Sequence, residues 1–197
     1  MDVSMIILAG GKNSRMKKEK AFLTVDDRPM IEKTVSEAKD HCREIIVVTN
    51  RPEAYHYLDI VVTSDLIPGR GPLSGIHAGL FKSSSFYNFV VACDMPFISM
   101  ELAERLRREA ENHDVIVPCW DGGLQPLHAL YSKNCAGEIE KALHNNVRKV
   151  VDVYQNLKVK VIEEEQLIQW GISPRVFFNV NTPEDLTVAQ SMVKRKI

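Results

Sequence analysis

Short, unbroken apolar runs recur along this chain, and they constrain its fold more than any other feature. Runs of strand length lie at residues 4–9, 45–48, 60–62, 89–93 and 115–117. Because their apolar residues are continuous rather than alternating, they indicate strands that are covered on both faces. Helical patterns separate these runs, at residues 30–40, 72–81 and 100–112. The alternation predicts an α/β fold, a three-layer Rossmann-like domain with a mostly parallel sheet between helices.

The last third of the chain is less regular. It has strand-like runs at residues 127–131, 159–162 and 176–178, and helical patterns at residues 134–144 and 148–156. Thr182 and Pro183 have the residue types of an N-cap and a first helical position, so a final helix is expected there. No repeat, low-complexity tract or long linker divides the sequence. We therefore predict a single domain over residues 1–197.

The charge balance excludes several classes of partner. Lys plus Arg (25) nearly cancel Asp plus Glu (26), so no overall field favours nucleic acid or an anionic membrane. The first apolar run is only long enough for a strand, which predicts neither a signal peptide nor a membrane span. The four cysteines form no C-x-x-C pair, as is typical of reduced thiols in a cytoplasmic protein.

The first apolar run leads into a glycine-rich, basic loop. Leu8-Ala9-Gly10-Gly11 ends the predicted strand, and Arg15 and Lys20 are among five basic side chains between residues 12 and 20. Glycines let a ligand approach the backbone, a guanidinium binds phosphate oxygens, and an ammonium neutralises their charge. The loop therefore predicts a polyphosphate site, with Lys20 against a triphosphate oxygen. A strand followed by a solvated basic turn is the alternative.

A single carboxylate, Asp94, follows the run at residues 89–93. Open parallel sheets bind ligands beyond the carboxyl ends of their strands, and a carboxylate in such a place is poorly solvated unless it meets a cation. Mg²⁺ takes one or two protein carboxylates together with phosphate oxygens and absorbs charge on the reacting phosphate. Asp94 is therefore the candidate metal ligand. A helix cap or a surface aspartate is the alternative, although Ser99 already offers that cap.

Asp65 and the segment Gly71-Pro72-Leu73-Ser74-Gly75 predict a pocket for a nucleobase. The Asp65 carboxylate can accept two hydrogen bonds from a guanine edge. Pro72 can begin a helix whose amides and small residues pack close to the nucleotide. A turn-forming aspartate after a strand is the alternative interpretation of Asp65.

Asn179 and Asn181 lie at alternate positions of an extended segment before the final helix. They are expected to face the same way and to suit a polar ligand, although a turn before the helix cap also explains Asn181. A few other residues could contact phosphates, but core packing or a solvated helix face explains them as well. These are His77, His128, Arg148 and Lys149.

Taken together, these segments resemble the molybdenum cofactor guanylyltransferases. The motifs LAGG-x-x-x-RM-x-x-x-K, GPLSG, CDMP and NVNTPEDL occur in the order and approximate spacing of that family, and they cover nearly the whole chain. The resemblance implies a fold of the nucleotide-diphospho-sugar transferase type. It implies a cytoplasmic enzyme that converts GTP and Mo-molybdopterin, with Mg²⁺, to molybdopterin guanine dinucleotide and pyrophosphate. Docking to other proteins of molybdenum cofactor synthesis would fit such a role.

On this resemblance each motif takes a role. Arg15, Lys20 and Asp94 would be catalytic, with Asp94 as the metal ligand, and Asn179 and Asn181 would border the pterin-phosphate acceptor. The nucleotide-binding residues would be Leu8, Ala9, Gly10, Gly11, Lys20, Asp65, Gly71, Pro72, Leu73 and Asp94. One departure is Lys17, where relatives usually have a small residue, and this puts the backbone conformation of the loop in question.

Two alternative functions stay open at this point. The same fold and loop also serve cytidylyl, sugar-phosphate and cobinamide-phosphate transferases, although LAGG and GPLSG favour the GTP-using branch. The alternative outside enzymes is a GTP-binding accessory protein that has lost turnover. Only Lys17 favours it, and Arg15, Lys20 and Asp94 weigh against it.

Overall fold

A central sheet dominates the computed structural model, which describes residues 1–10 and 20–194. The strands there are β1 (Ser4–Leu8), β2 (Ile45–Val48), β3 (Val61–Thr63), β4 (Tyr87–Ala92), β5 (Val115–Trp120), β6 (Gly123–Leu124), β7 (His128–Ser132) and β8 (Val159–Ile162). Their order is β3-β2-β1-β4-β7-β5-β6, with β8 paired to β5. The first four strands are parallel, whereas β7 runs antiparallel to β4 and β5. The predicted α/β fold with a mostly parallel sheet is confirmed.

Helices cover both faces of this sheet. They are α1 (Met30–Ala38), α2 (Pro72–Lys82), α3 (Met100–Arg108), α4 (Cys135–His144), α5 (Glu164–Gln169) and α6 (Pro183–Lys194). Alternate side chains of β1 enter two separate cores, Met5 and Ile7 in one and Ile6 and Leu8 in the other. This is why its apolar run is unbroken. In residues 1–10 and 20–194 no helix is both long and apolar enough to cross a membrane.

Two glycines bring α2 directly against β1. A Cβ atom on Gly75 would lie 2.9 Å from Leu8 Cδ2, and one on Gly79 would lie 2.9 Å from Ile6 Cδ1 and closer still to Ile6 Cγ2. These separations are shorter than ordinary carbon contacts, so the helix can approach the strand only because both residues lack a side chain. The close packing places the N-terminus of α2 beside the end of β1.

Two predicted elements differ from the structure. The strand predicted at residues 176–178 is wrong, because Pro174–Phe177 is a 3₁₀ turn. A strand would point Val176 and Phe177 to opposite faces, whereas both are buried in the same core. The helix predicted at residues 148–156 is a 3₁₀ turn over Val150–Asn156, and its buried residues Val150 and Val153 follow the three-residue period of that turn.

Candidate active site

The carboxyl ends of four parallel strands form one edge of the sheet. In the order β3, β2, β1 and β4, they are followed by Asp65, Asn50, Gly10 and Asp94. With neighbouring strands about 4.8 Å apart, the ends of β3 and β4 are separated by about 14 Å. This edge therefore brings together the residues predicted for the nucleobase, the phosphates and the metal, and Asn50 is an addition to them.

Lys20 lies between two oxygen atoms at the β4 end of this edge. Its Nζ is 2.9 Å from Asp94 Oδ2 and 2.6 Å from Asn181 Oδ1. The side chains of Lys20 and Asp94 are about one-fifth exposed, at 22% and 20%, so a ligand can reach them. Lys20 and Asp94 thus form an ion pair, and the roles predicted for them toward a metal ion and a triphosphate stay predictions. Gly11 and Arg15 lie outside the described residues.

Backbone hydrogen bonds hold Asp94 in place. The Cys93 amide donates to the Leu8 carbonyl at 3.0 Å, and the Val180 amide donates to the Asp94 carbonyl at 2.8 Å. The Asp94 side chain does not cap α3, because the Ser99 hydroxyl accepts from the Leu102 amide at 3.1 Å. The cap on α3 is therefore excluded as the role of Asp94, and its carboxylate contacts Lys20 instead.

A capped helix fixes the segment that carries the two asparagines. Thr182 Oγ1 accepts from the Asp185 amide at 3.1 Å, which confirms Thr182 as the N-cap of α6. In return, Asp185 Oδ2 accepts from the amides of Asn181 and Thr182 at 2.9 and 2.8 Å, and these bonds lower the pKa of the Asp185 carboxyl. Asn179 Nδ2 donates to the Phe177 carbonyl at 3.2 Å. Both asparagines are thus oriented by the protein itself.

At the opposite end of the edge, Asn50 contacts Asp65. Asn50 Nδ2 donates to Asp65 Oδ2 at 3.2 Å. Burial raises the pKa of the Asp65 carboxyl, and the hydrogen bond from Asn50 offsets part of that shift. Sequence reasoning missed Asn50, although its place just after a buried strand is the same signal that identified Asp65 and Asp94.

The N-terminus of α2 lies beside the end of β1, between these two ends of the site. Gly71 has φ +69° at the N-cap position and Pro72 is the first residue of the helix. The Arg70 amide donates to Ser74 Oγ at 3.3 Å. Leu73 is fully buried and Leu8 is 7% exposed, so these two predicted nucleotide residues can present only their backbone atoms to a ligand.

The two histidines that could have contacted phosphates are core residues. His128 is fully buried, with its ring edge-on to Phe89 and Phe177 at centroid distances of 5.2 and 5.7 Å. Neither ring nitrogen has a hydrogen-bond partner among the described residues, and burial lowers the pKa of His128 to about 3. His77 is 4% exposed. Neither side chain can reach a nucleotide at the edge of the sheet.

The donor set at Asp94 fits a magnesium ion. Within residues 1–10 and 20–194 no three His, Cys, Asp or Glu side chains converge on a metal position. Mg²⁺ needs no such cluster, because one or two carboxylates suffice when substrate phosphates provide the other ligands. Asp94 is a carboxylate that already attracts a cation, the Lys20 ammonium, at 2.9 Å.

The chain is similar over most of its length to known NTP transferases. A family model described as a MobA-like NTP transferase domain matches residues 5–161. A probable molybdenum cofactor guanylyltransferase from Pelotomaculum thermopropionicum is 43% identical over 96% of this chain and 92% of its own. The molybdenum cofactor guanylyltransferase of Desulfosudis oleivorans is 37% identical over 98% and 96%. The crystal structure of molybdopterin-guanine dinucleotide biosynthesis protein A from Archaeoglobus fulgidus has a TM-score of 0.87 and 27% identity, covering 98% of this chain and 100% of that one.

Proposed function

The chain belongs to the MobA-like NTP transferase family and is a nucleotidyltransferase, and from this premise we propose that it transfers GMP from GTP to the terminal phosphate of Mo-molybdopterin. The products are molybdopterin guanine dinucleotide and pyrophosphate. One observation carries the choice of substrates: relatives named as molybdenum cofactor guanylyltransferases match 96% and 98% of the chain. A cytoplasmic location and docking to other proteins of molybdenum cofactor synthesis stay predictions of the same role.

The chemistry requires positioning rather than a protein nucleophile. An oxygen of the acceptor's terminal phosphate attacks the α-phosphorus of GTP and forms a new phosphoanhydride bond. The bond from the α-phosphorus to the bridging oxygen of the β-phosphate breaks, and pyrophosphate leaves with that electron pair. The protein has to align the two phosphates and neutralise their charge.

Residues at the β4 end are proposed to act on the phosphates. Asp94 would hold Mg²⁺, which when bound neutralises charge on the reacting phosphate. The Lys20 ammonium lies beside Asp94 and would bind the pyrophosphate portion of GTP, together with Arg15. Asn181 shares the Lys20 ammonium with Asp94 and would border the acceptor together with Asn179.

Asp65 is proposed to select guanine at the β3 end. Guanine presents neighbouring N1–H and N2–H donors, and one carboxylate can accept both. Asn50 donates to Oδ2 of the same carboxylate and would orient it. The backbones of Gly10, Gly71 and Pro72 would line the nucleotide between the two ends.

Incubation with Mo-molybdopterin, GTP and Mg²⁺, followed by nucleotide analysis of the product, tests the reaction. If nucleotide analysis finds GMP as part of the isolated cofactor, the proposal is supported. GTP binding without transfer would favour the GTP-binding accessory protein. A thermal-shift panel tests the base: GTP with Mg²⁺ should raise the melting temperature more than ATP, CTP or UTP. Equal shifts with CTP would end the guanine assignment.

A further inference from the structure

Lys20 has two partners that come from different segments of the chain. Asp94 follows β4, and Asn181 precedes α6 near the end of the chain. The ammonium is 2.9 Å from one and 2.6 Å from the other. A lysine side chain loses much of its rotamer freedom when it is held in one place. These two contacts therefore hold the Lys20 side chain in one place before any nucleotide binds.

The backbone of Asn181 is held in place without any help from Lys20. Its amide donates to Asp185 Oδ2 at 2.9 Å, and the preceding Val180 amide donates to the Asp94 carbonyl at 2.8 Å. The carboxamide oxygen is thus presented to Lys20 from a backbone that is hydrogen-bonded on both sides. It is an acceptor on a fixed backbone, against which the long, flexible Lys20 side chain can be placed.

The two partners differ in charge, and this separates their roles. The Asp94 carboxylate attracts any cation and, in the proposed reaction, is needed by the metal. The Asn181 carboxamide is neutral, so it can hold the ammonium without competing with phosphate for its charge. We infer that Asn181 is a positioning residue, which keeps Lys20 directed at the triphosphate when Asp94 is engaged by the metal. The inference rests on the proposed nucleotidyl transfer and adds to it a link between the acceptor segment and nucleotide binding.

A double-mutant cycle on nucleotide affinity tests this link. Dissociation constants for GTP are measured by calorimetry, with Mg²⁺ present and no acceptor, for the wild type, Lys20→Ala, Asn181→Ala and the double variant. Asn181→Ala should weaken binding about three- to tenfold, as expected for one lost hydrogen bond. In the Lys20→Ala background the same change should have no further effect. Thr187→Ala, at an exposed position of α6, is the matched variant and should leave GTP affinity unchanged.

Three results would overturn the inference. Unchanged GTP affinity in Asn181→Ala would return Asn181 to an acceptor contact alone. An equal loss in both backgrounds would mean that Asn181 acts independently of Lys20, and a loss of the same size in Thr187→Ala would mean a general effect on this part of the chain. Asn181→Ser, whose side chain is too short to reach Lys20, repeats the cycle if Asn181→Ala does not fold.

Repeating the cycle with CTP separates this inference from the proposed function. Lys20 would meet phosphates that GTP and CTP share, so coupling between the two residues should appear with either nucleotide. Coupling without a preference for GTP would contradict the guanylyl assignment and support the positioning role. A preference for GTP without coupling would support the guanylyl assignment and contradict the positioning role.

Discussion

The Val180 amide donates to the Asp94 carbonyl at 2.8 Å. This bond ties the segment that carries the two asparagines to the loop that carries the candidate metal ligand. A shift of α6 would therefore be transmitted to Asp94. The acceptor and metal portions of the proposed site are in this way built as one unit.

Asp94→Asn should reduce GMP transfer at least about a hundredfold, which corresponds to about 2.7 kcal/mol in the barrier. The change keeps the size of the side chain but removes the charge that would hold Mg²⁺ against the phosphates. Single-turnover transfer from GTP measures the effect. Stability should change by no more than about 1 kcal/mol, because the ion pair with Lys20 is partly exposed.

Asp59→Asn is the control for this substitution. Asp59 is exposed and comes just before β3, at the opposite edge of the sheet. The Asp59→Asn variant should therefore transfer GMP at the rate of the wild type. Near-normal transfer in Asp94→Asn would refute the metal role. An Asp94→Asn variant that does not fold would instead support a structural role for this carboxylate.

Asp65→Asn should reduce the preference for GTP over CTP. The carboxylate would accept two bonds from guanine, whereas an amide presents one acceptor and one donor. A charge-assisted bond contributes about 1.5–3 kcal/mol, so GTP affinity should fall by about one to two orders of magnitude while CTP affinity changes little. Competition binding with both nucleotides measures this, and a parallel loss for both would show that Asp65 does not read the base.

Gly79→Ala should destabilise the protein by about 1–3 kcal/mol. The new Cβ would lie 2.9 Å from Ile6 Cδ1 and closer to Cγ2, so α2 would have to move away from β1. Gly137→Ala is the matched control within α4, because no atom lies within 4 Å of its added Cβ, and it should stabilise by up to about 1 kcal/mol. Urea unfolding distinguishes the two, and equal changes would contradict the close packing of α2.

His128→Leu should flatten the dependence of stability on pH. Burial lowers the pKa of His128 from the reference 6.5 to about 3. Between these two pH values the histidine binds a proton in the unfolded state but not in the folded state. Stability should therefore fall as pH decreases below 6.5, by about 1.4 kcal/mol per unit from this residue alone. Denaturant unfolding at pH 7 and pH 5 should show a loss about 2 kcal/mol smaller in His128→Leu than in the wild type. An equal loss in the two proteins would contradict this role of His128.

Local patterns in the amino-acid sequence were enough to predict the parallel half of the sheet and most of the residues that follow the carboxyl ends of its strands. Unbroken apolar runs predict buried strands, and the polar residues that follow them, Asp65 and Asp94, lie where strand ends require. The caps Ser99 and Thr182 were also predictable, because a cap depends on residues three positions away. The single-domain organisation and the roles of Gly11 and Arg15 stay predictions.

Contacts between distant segments decided what periodicity could not. Whether β7 lies parallel or antiparallel depends on its neighbours in the sheet, and Val176 and Phe177 form a turn because one core buries both. Lys20 contacts Asp94 and Asn181, which are 74 and 161 positions away. Local patterns report the conformation of a few successive residues. Which charges and amides meet across such separations is set by packing of the whole chain, and that is where the Lys20 and Asn50 contacts arise.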